Sequence, residues 1–152
     1  MYINNEIGNI LDINKVSNLC QKYNSFFHSD AVQAVGHYKI DLKSLKIDFM
    51  SSAGHKFHGP KGVGFTYINN STKIKSFICG GPQERGLRAG TESVHNIVGM
   101  TKALEIADKN MEKETLYVRS IKKYMIENLS NLFPNIHFNG ESGDMTNSTY
   151  TV

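Results

Sequence analysis

The chain has no tryptophan, only two cysteines and three prolines, and a formal charge of just +3 over 152 residues. Two cysteines in no framework spacing exclude a disulfide-stapled fold, and a reducing cytoplasmic location is the expectation. Basic residues are few and scattered, with Lys73 and Lys75 forming no extended patch, so nucleic acid is not an expected partner. No apolar run approaches the roughly 20 residues needed to cross a bilayer, and no membrane partner is expected. Met1 leads into Tyr2-Ile3 without a positive leader or apolar core, so no secretion signal is read there. Cys-x-x-Cys is absent, and the histidines are isolated apart from the His55/His58 pair, so no metal site is expected. Gly59 to Gly64 lacks the Gly-Lys-Ser/Thr ending of a phosphate-binding P-loop. An apolar content of 39% is ordinary for a globular core.

The most informative segment is Ser52-Ala53-Gly54-His55-Lys56-Phe57-His58-Gly59-Pro60-Lys61-Gly62. It follows Ile47-Asp48-Phe49-Met50, which reads as a buried strand, and precedes a second strand, Val63 to Ile68, across a Gly-Pro turn. A lysine at a strand end among glycines is suited to capture an aldehyde, if burial and nearby charge lower its pKa. Its alternative is a surface lysine in a hairpin loop. Asp30 ends another apolar strand, Ser25 to Asp30, and lies 26 positions before Lys56. A turn over Gln33 to Lys39 and a small helix near Asp41 to Lys46 lie between them. Strand, crossover and strand predict a parallel pair, whose ligands sit beyond the carboxyl ends. A carboxylate and an amine there suit pyridoxal phosphate, which needs an imine-forming lysine and an acid facing its ring nitrogen. A structural ion pair is the alternative.

Four ordered motifs carry a resemblance. They are Asn4-Asn5-Glu6-Ile7-Gly8, His28-Ser29-Asp30-Ala31-Val32-Gln33-Ala34-Val35-Gly36, Gly54-His55-Lys56-Phe57-His58-Gly59-Pro60-Lys61-Gly62-Val63-Gly64 and Gln83-Glu84-Arg85-Gly86-Leu87-Arg88-Ala89-Gly90-Thr91-Glu92. In this order they resemble the cysteine desulfurases, pyridoxal 5'-phosphate enzymes of the class V aminotransferase group. The resemblance implies an α/β chain of fold type I. Residues 1–91 would be part of the large, mostly parallel sheet domain, 92–133 a linker helix, and 134–152 the start of the small domain. It implies Lys56 as the Schiff-base lysine, Asp30 as partner of the ring nitrogen, Gln33 as donor to the phenolic oxygen and His55 as a phosphate contact. Asn5 would lie near the ring and the substrate carboxylate, and Thr91 would reach the partner subunit's phosphate, so a homodimer is implied. An L-cysteine substrate and a sulfur-acceptor or scaffold protein are implied with them. A sister activity, selenocysteine lyase or a related β-lyase, shares Asp30 and Lys56, and a non-catalytic remnant is a third reading.

The chain departs from the family pattern in places. Ala53 stands where many members have a phosphate-binding serine, leaving Ser52 as a possible substitute. Pro82 replaces the last glycine of a three-glycine run and predicts a stiffer loop. Counterparts of the family's Gly-Thr-rich phosphate loop, ring-stacking histidine, catalytic cysteine loop and following arginine are missing, so the resemblance implies an internal fragment. Cys20, spaced with Val16 and Leu19 on one side of a helix over about Ile13 to Tyr23, reads as core. Cys79 precedes Gly80-Gly81 and reads as exposed. Further strands are expected at Tyr2-Ile3, Lys75 to Cys79, Asn135 to Gly140 and from Asn147 onward. The two arginines of the Gln83 to Gly90 loop favour an anion. Thr91 reads as the N-cap of a helix running to Leu132, with a bend near Asp108-Lys109-Asn110.

Overall fold

Short apolar runs with period-2 alternation build the sheet on which the rest is assembled. The computed structural model describes residues 1–140, the backbone of 146–147, and Tyr150. In chain order the elements are β1 (Asn9–Ile10), α1 (Ile13–Lys22), β2 (His28–Asp30), β3 (Phe49–Ala53), β4 (Gly64–Ile68), α2 (Val94–Leu132) and β5 (Thr146–Asn147). Two 3-10 turns, Gly54–Phe57 and Glu84–Gly86, lie between β3 and β4 and ahead of α2. β2 and β3 pair in parallel with Asp30 opposite Ser51, and β3 pairs antiparallel with β4. A separate antiparallel pair joins β1 to β5.

Alternation sorts β3 onto two faces. Met50 and Ser52 are buried on one, and Phe49, Ser51 and Ala53 lie half-buried on the other. Phe27, Ile47, Met50 and Phe57 form the centre of the core, with Ile13 from α1 and Met100 from α2 against them. The crossover from β2 to β3 begins with a wound turn. Val35 and Tyr38 donate to the carbonyls of Ala31 and Ala34 at 3.0 and 2.9 Å, and the two alanines are fully buried. Asp48 staples the other end of the pair, accepting from the Phe27 N–H at 2.8 Å and from the Thr72 hydroxyl at 2.9 Å.

The Asp12 carboxylate caps α1 by accepting from the Lys15 N–H at 3.0 Å, and that hydrogen bond is the main reason its pKa lies below the ordinary value. Val16 and Cys20 pack against the core as their spacing predicts, whereas Leu19 points to solvent. α2 is continuous over 39 residues, about 58 Å long at 1.5 Å per residue, and Asp108-Lys109-Asn110 does not break it. The exposed, polar character of those three residues leaves the i to i−4 ladder undisturbed. Only Met100 and Ala107 of α2 are buried, while Leu116, Tyr117, Ile121 and Tyr124 are exposed. Among the described residues no helix is long and apolar enough to cross a membrane.

Several expected elements take other forms. Tyr2-Ile3 contributes a single bridge, Ile3 to Ile10, and the Tyr2 N–H donates to the Asp30 carbonyl at 2.6 Å. Lys75 to Cys79 forms no strand. Phe77 is almost wholly exposed, and the Ile78 carbonyl is taken by the Ala89 N–H at 3.1 Å. Asn135 to Gly140 turns instead of extending, with the Ile136 N–H bonded to the Phe133 carbonyl. The strand expected from Asn147 onward falls mostly outside the described residues, apart from Asn147 itself at the end of β5. Thr91 is not the N-cap of α2. That place falls to Ser93, whose hydroxyl accepts from the Asn96 side chain at 3.0 Å.

Gly36 is the tightest packing point of the crossover. It has φ +83, and a Cβ there would lie 2.5 Å from the Phe57 Cβ. Gly36→Ala is expected to cost roughly 2–4 kcal/mol, combining left-handed strain with overpacking. Chemical denaturation measures this directly; an unchanged midpoint would contradict the packing described.

Candidate functional site

The parallel pairing of β2 and β3 brings Asp30 to the carboxyl edge of the sheet beside the end of β3. The ladder continues one step past Asp30, where the Ala31 N–H donates to the Ser51 carbonyl at 2.9 Å. Three residues beyond Ala53, Lys56 stands in the 3-10 turn Gly54–Phe57. Lys56 therefore sits on a turn just after β3, not at the strand's last residue. The turn packs tightly from both sides: a Cβ at Gly54 would meet the Met100 side chain at 3.0 Å and the Val63 carbonyl at 3.2 Å.

Asp30 is half-buried, and its Oδ1 accepts from the Val32 N–H at 2.9 Å, which fixes the carboxylate over the start of the crossover. Gln33 and Lys56 are also half-buried, and His55 is exposed beside Lys56. The side-chain amide of Gln33, the imidazole of His55 and the amine of Lys56 have no hydrogen-bond or ion-pair partner among the described residues. Three polar groups are thus left free in the segments that follow β2 and β3. The alternative of a structural Asp30–Lys56 ion pair does not form.

The segment bearing Asn5 reaches the same edge through the Tyr2 N–H bond to Asp30. Asn5 itself is exposed, and its amide donates to the Glu6 carboxylate at 2.6 Å. Burial raises the Tyr2 phenol pKa, with the Asp12 charge and Tyr38 adding to the effect, so the phenol stays protonated at neutral pH. Thr91 is exposed in the loop ahead of α2, and among the described residues no hydrogen bond ties it to the other site residues. That loop is held by the Gly90 N–H bond to Gln83 Oε1 at 3.1 Å, and Glu84 and Arg85 both take left-handed backbone angles.

Ser52 does not take over from Ala53. Strand alternation turns it to the opposite, buried face of β3, where its hydroxyl has no partner among the described residues. Sequence reasoning also missed His37. Its Nε2 lies 2.9 Å from the main-chain oxygen of Lys56, a contact that only the folded crossover creates. A lone histidine after a glycine carries no local signal of such a bond.

Two clefts have linings that include neither Asp30 nor Lys56. One of about 600 Å³ opens at the amino ends of β2 and β3, lined by Phe26, Lys43, Lys46 and Asp48 among others. The other, of about 310 Å³, runs between α2 and the Lys56 turn, beside Phe57, His58 and Ala103. Ligands of open α/β sheets bind outside the carboxyl ends of the strands, so the edge with Asp30 and Lys56 is the better candidate. No group of three or more metal-ligating side chains occurs among the described residues.

Comparison with known proteins gives the family. Cysteine desulfurase IscS of Clostridium botulinum strain Hall is 46% identical over 140 residues, covering 92% of this chain and 35% of the relative. Cysteine desulfurase IscS of Methanosarcina thermophila is 44% identical over 92% of this chain and 34% of its own length. Among solved structures, a NifS-like protein from Rickettsia africae superposes with a TM-score of 0.91 at 29% identity, covering 97% of this chain and 40% of that one. A second NifS-like protein matches with a TM-score of 0.84 at 41% identity, over 88% of this chain and 37% of its own. The chain thus spans about a third of the length of the curated relatives it matches. The aminotransferase class-V family model matches residues 1–152 throughout, and with fold type I architecture shared by its structural neighbours, the chain belongs to that family.

Proposed function

We propose that the chain supplies the pyridoxal 5'-phosphate-binding edge of a cysteine desulfurase, which converts L-cysteine to L-alanine and passes the sulfur on. The observation carrying this reading is the donor set beyond β2 and β3. An acid fixed at Asp30 ends β2, and a free amide, a free imidazole and a free amine follow in the segments just beyond β2 and β3. That set fits the cofactor group by group: an amine for its aldehyde, a carboxylate for its ring nitrogen, an amide for its phenolic oxygen and an imidazole for its phosphate. The names of the relatives favour cysteine as substrate.

Bound pyridoxal 5'-phosphate supplies an aldehyde that captures amines and a ring that draws electrons from the bond to be broken. Lys56 would provide the amine that holds it, and the same amine would take up and return a proton. Asp30, oriented by the Val32 N–H, would be the carboxylate partner of the ring nitrogen and would favour its protonated form. Gln33 donates its amide, and His55 donates toward phosphate. Asn5 exchanges its Glu6 contact for the substrate carboxylate. Thr91, Arg85 and Arg88, all exposed, serve the phosphate of a second subunit in a homodimer, and a sulfur-acceptor or scaffold protein takes the product sulfur. Residues 1–91 belong to the large domain, α2 within 92–133 is the connector, and 134–152 open the small domain. Cys20 is packed against the core, and Cys79, though exposed, does not match the family's sulfur-carrying cysteine by position, so neither is assigned that role.

Two measurements test this. The purified chain should gain visible absorbance with pyridoxal 5'-phosphate, and Lys56→Ala should abolish the band while leaving the thermal melt in place. A chain that takes up no colour, or a Lys56→Ala variant that keeps it, rules the proposal out. Ser52 and Ala53 give a second test. Ala53→Ser should tighten cofactor binding several-fold by adding a donor on the site face. Ser52→Ala should leave binding unchanged and raise stability by up to about 1–2 kcal/mol, since it removes an unpartnered buried hydroxyl. Weaker binding in Ser52→Ala would place that hydroxyl at the phosphate instead.

A further inference from the structure

The turn that carries Lys56 has an end its own backbone does not close. His58 takes a left-handed conformation with φ 67, and its N–H returns to the Gly54 carbonyl. The Gly59 N–H also goes to Gly54, at 2.9 Å. Both amides that follow the turn therefore converge on Gly54, and neither serves the carbonyl of Lys56. A carbonyl at the end of such a turn needs a donor from elsewhere. His37 supplies it from the crossover, with Nε2 at 2.9 Å from the Lys56 oxygen. Because a carbonyl only accepts, Nε2 bears the hydrogen, and neutral His37 is the Nε2–H tautomer. The Tyr150 ring, 4.5 Å away between centroids, packs on the imidazole, and the Tyr150 hydroxyl meets the Thr115 hydroxyl of α2 at 3.2 Å.

We propose that His37 is a positioning residue for Lys56, holding by this hydrogen bond the backbone from which the reactive amine projects. The inference rests on the function proposed above and deepens it. Gly36 and His37 divide the work within one crossover. Gly36 admits the Phe57 side chain at close range, a packing role, whereas His37 acts on Lys56 itself. Removing the donor frees the turn, and the amine then samples orientations that miss the aldehyde.

The test reads the site of labelling. The chain is incubated with pyridoxal 5'-phosphate, reduced with borohydride and mapped by mass spectrometry. The label at Lys56 is compared with the label at Lys109, an exposed lysine of α2 in the same molecule. His37→Phe keeps an aromatic ring against Tyr150 but has no donor. It should lower the Lys56-to-Lys109 ratio about five-fold, the worth of one such hydrogen bond. His37→Gln, which returns an N–H donor, should recover most of the preference. A purely structural histidine would alter melting without this pattern of loss and rescue. An unchanged ratio in His37→Phe, or no recovery in His37→Gln, overturns the role of His37 alone. A parent chain with no preference for Lys56 removes the proposed function and this inference together. Should His37→Phe lose its cooperative melt, nitrogen-15 spectra of the parent chain decide. A slowly exchanging Nε2–H on His37 is expected, and an Nδ1–H tautomer would overturn the assignment.

Discussion

The parallel ladder between β2 and β3 is the constraint on which the site depends. Asp30 and Lys56 are separated by 26 residues of chain, and only the pairing of Asp30 with Ser51 brings their two segments to one edge. A parallel pair must be joined by a crossover, and the crossover here is short and closely wound. Ala31 and Ala34 let it lie against the sheet, Gly36 accepts the Phe57 ring, and His37 reaches the Lys56 carbonyl. The same connection that satisfies topology therefore also builds the wall of the site.

The two faces of β3 explain why neighbouring hydroxyl positions are not interchangeable. Ser51 and Ala53 share the face of Asp30, while Ser52 turns with Met50 into the core. A one-residue offset in a strand reverses the side-chain direction, so a missing hydroxyl at Ala53 cannot be made up by its neighbour. The buried Ser52 hydroxyl then stands as a local cost of the fold, with no gain visible for the site.

Much of this was legible in the sequence, for a physical reason. Apolar runs and glycine punctuation are local signals, so the parallel strand pair and the following hairpin could be read from short windows, whereas the small helix expected near Asp41 to Lys46 is only a turn. The periodicity of α2 was legible too, although the helix begins at Val94 and not directly after Thr91. Other features depend on partners far along the chain. Lys75 to Cys79 has strand-like composition but no strand partner among the described residues, and it is irregular. The polar triplet Asp108 to Asn110 reads as a bend, and it lies within one continuous helix. Thr91 and Ser93 are both cap-forming residue types, and Ser93 takes the place. His37 could not be found at all, because its role exists only once the crossover has folded onto the Lys56 turn.

The central claim is that an acid at Asp30 faces the ring of a cofactor held by Lys56. Nitrogen-15 spectroscopy of ring-labelled pyridoxal 5'-phosphate bound to the chain tests it most directly. The account predicts a protonated ring nitrogen at neutral pH, and loss of that proton in Asp30→Ala. A ring nitrogen that is unprotonated in the parent chain, or that stays protonated without the Asp30 carboxylate, would contradict it.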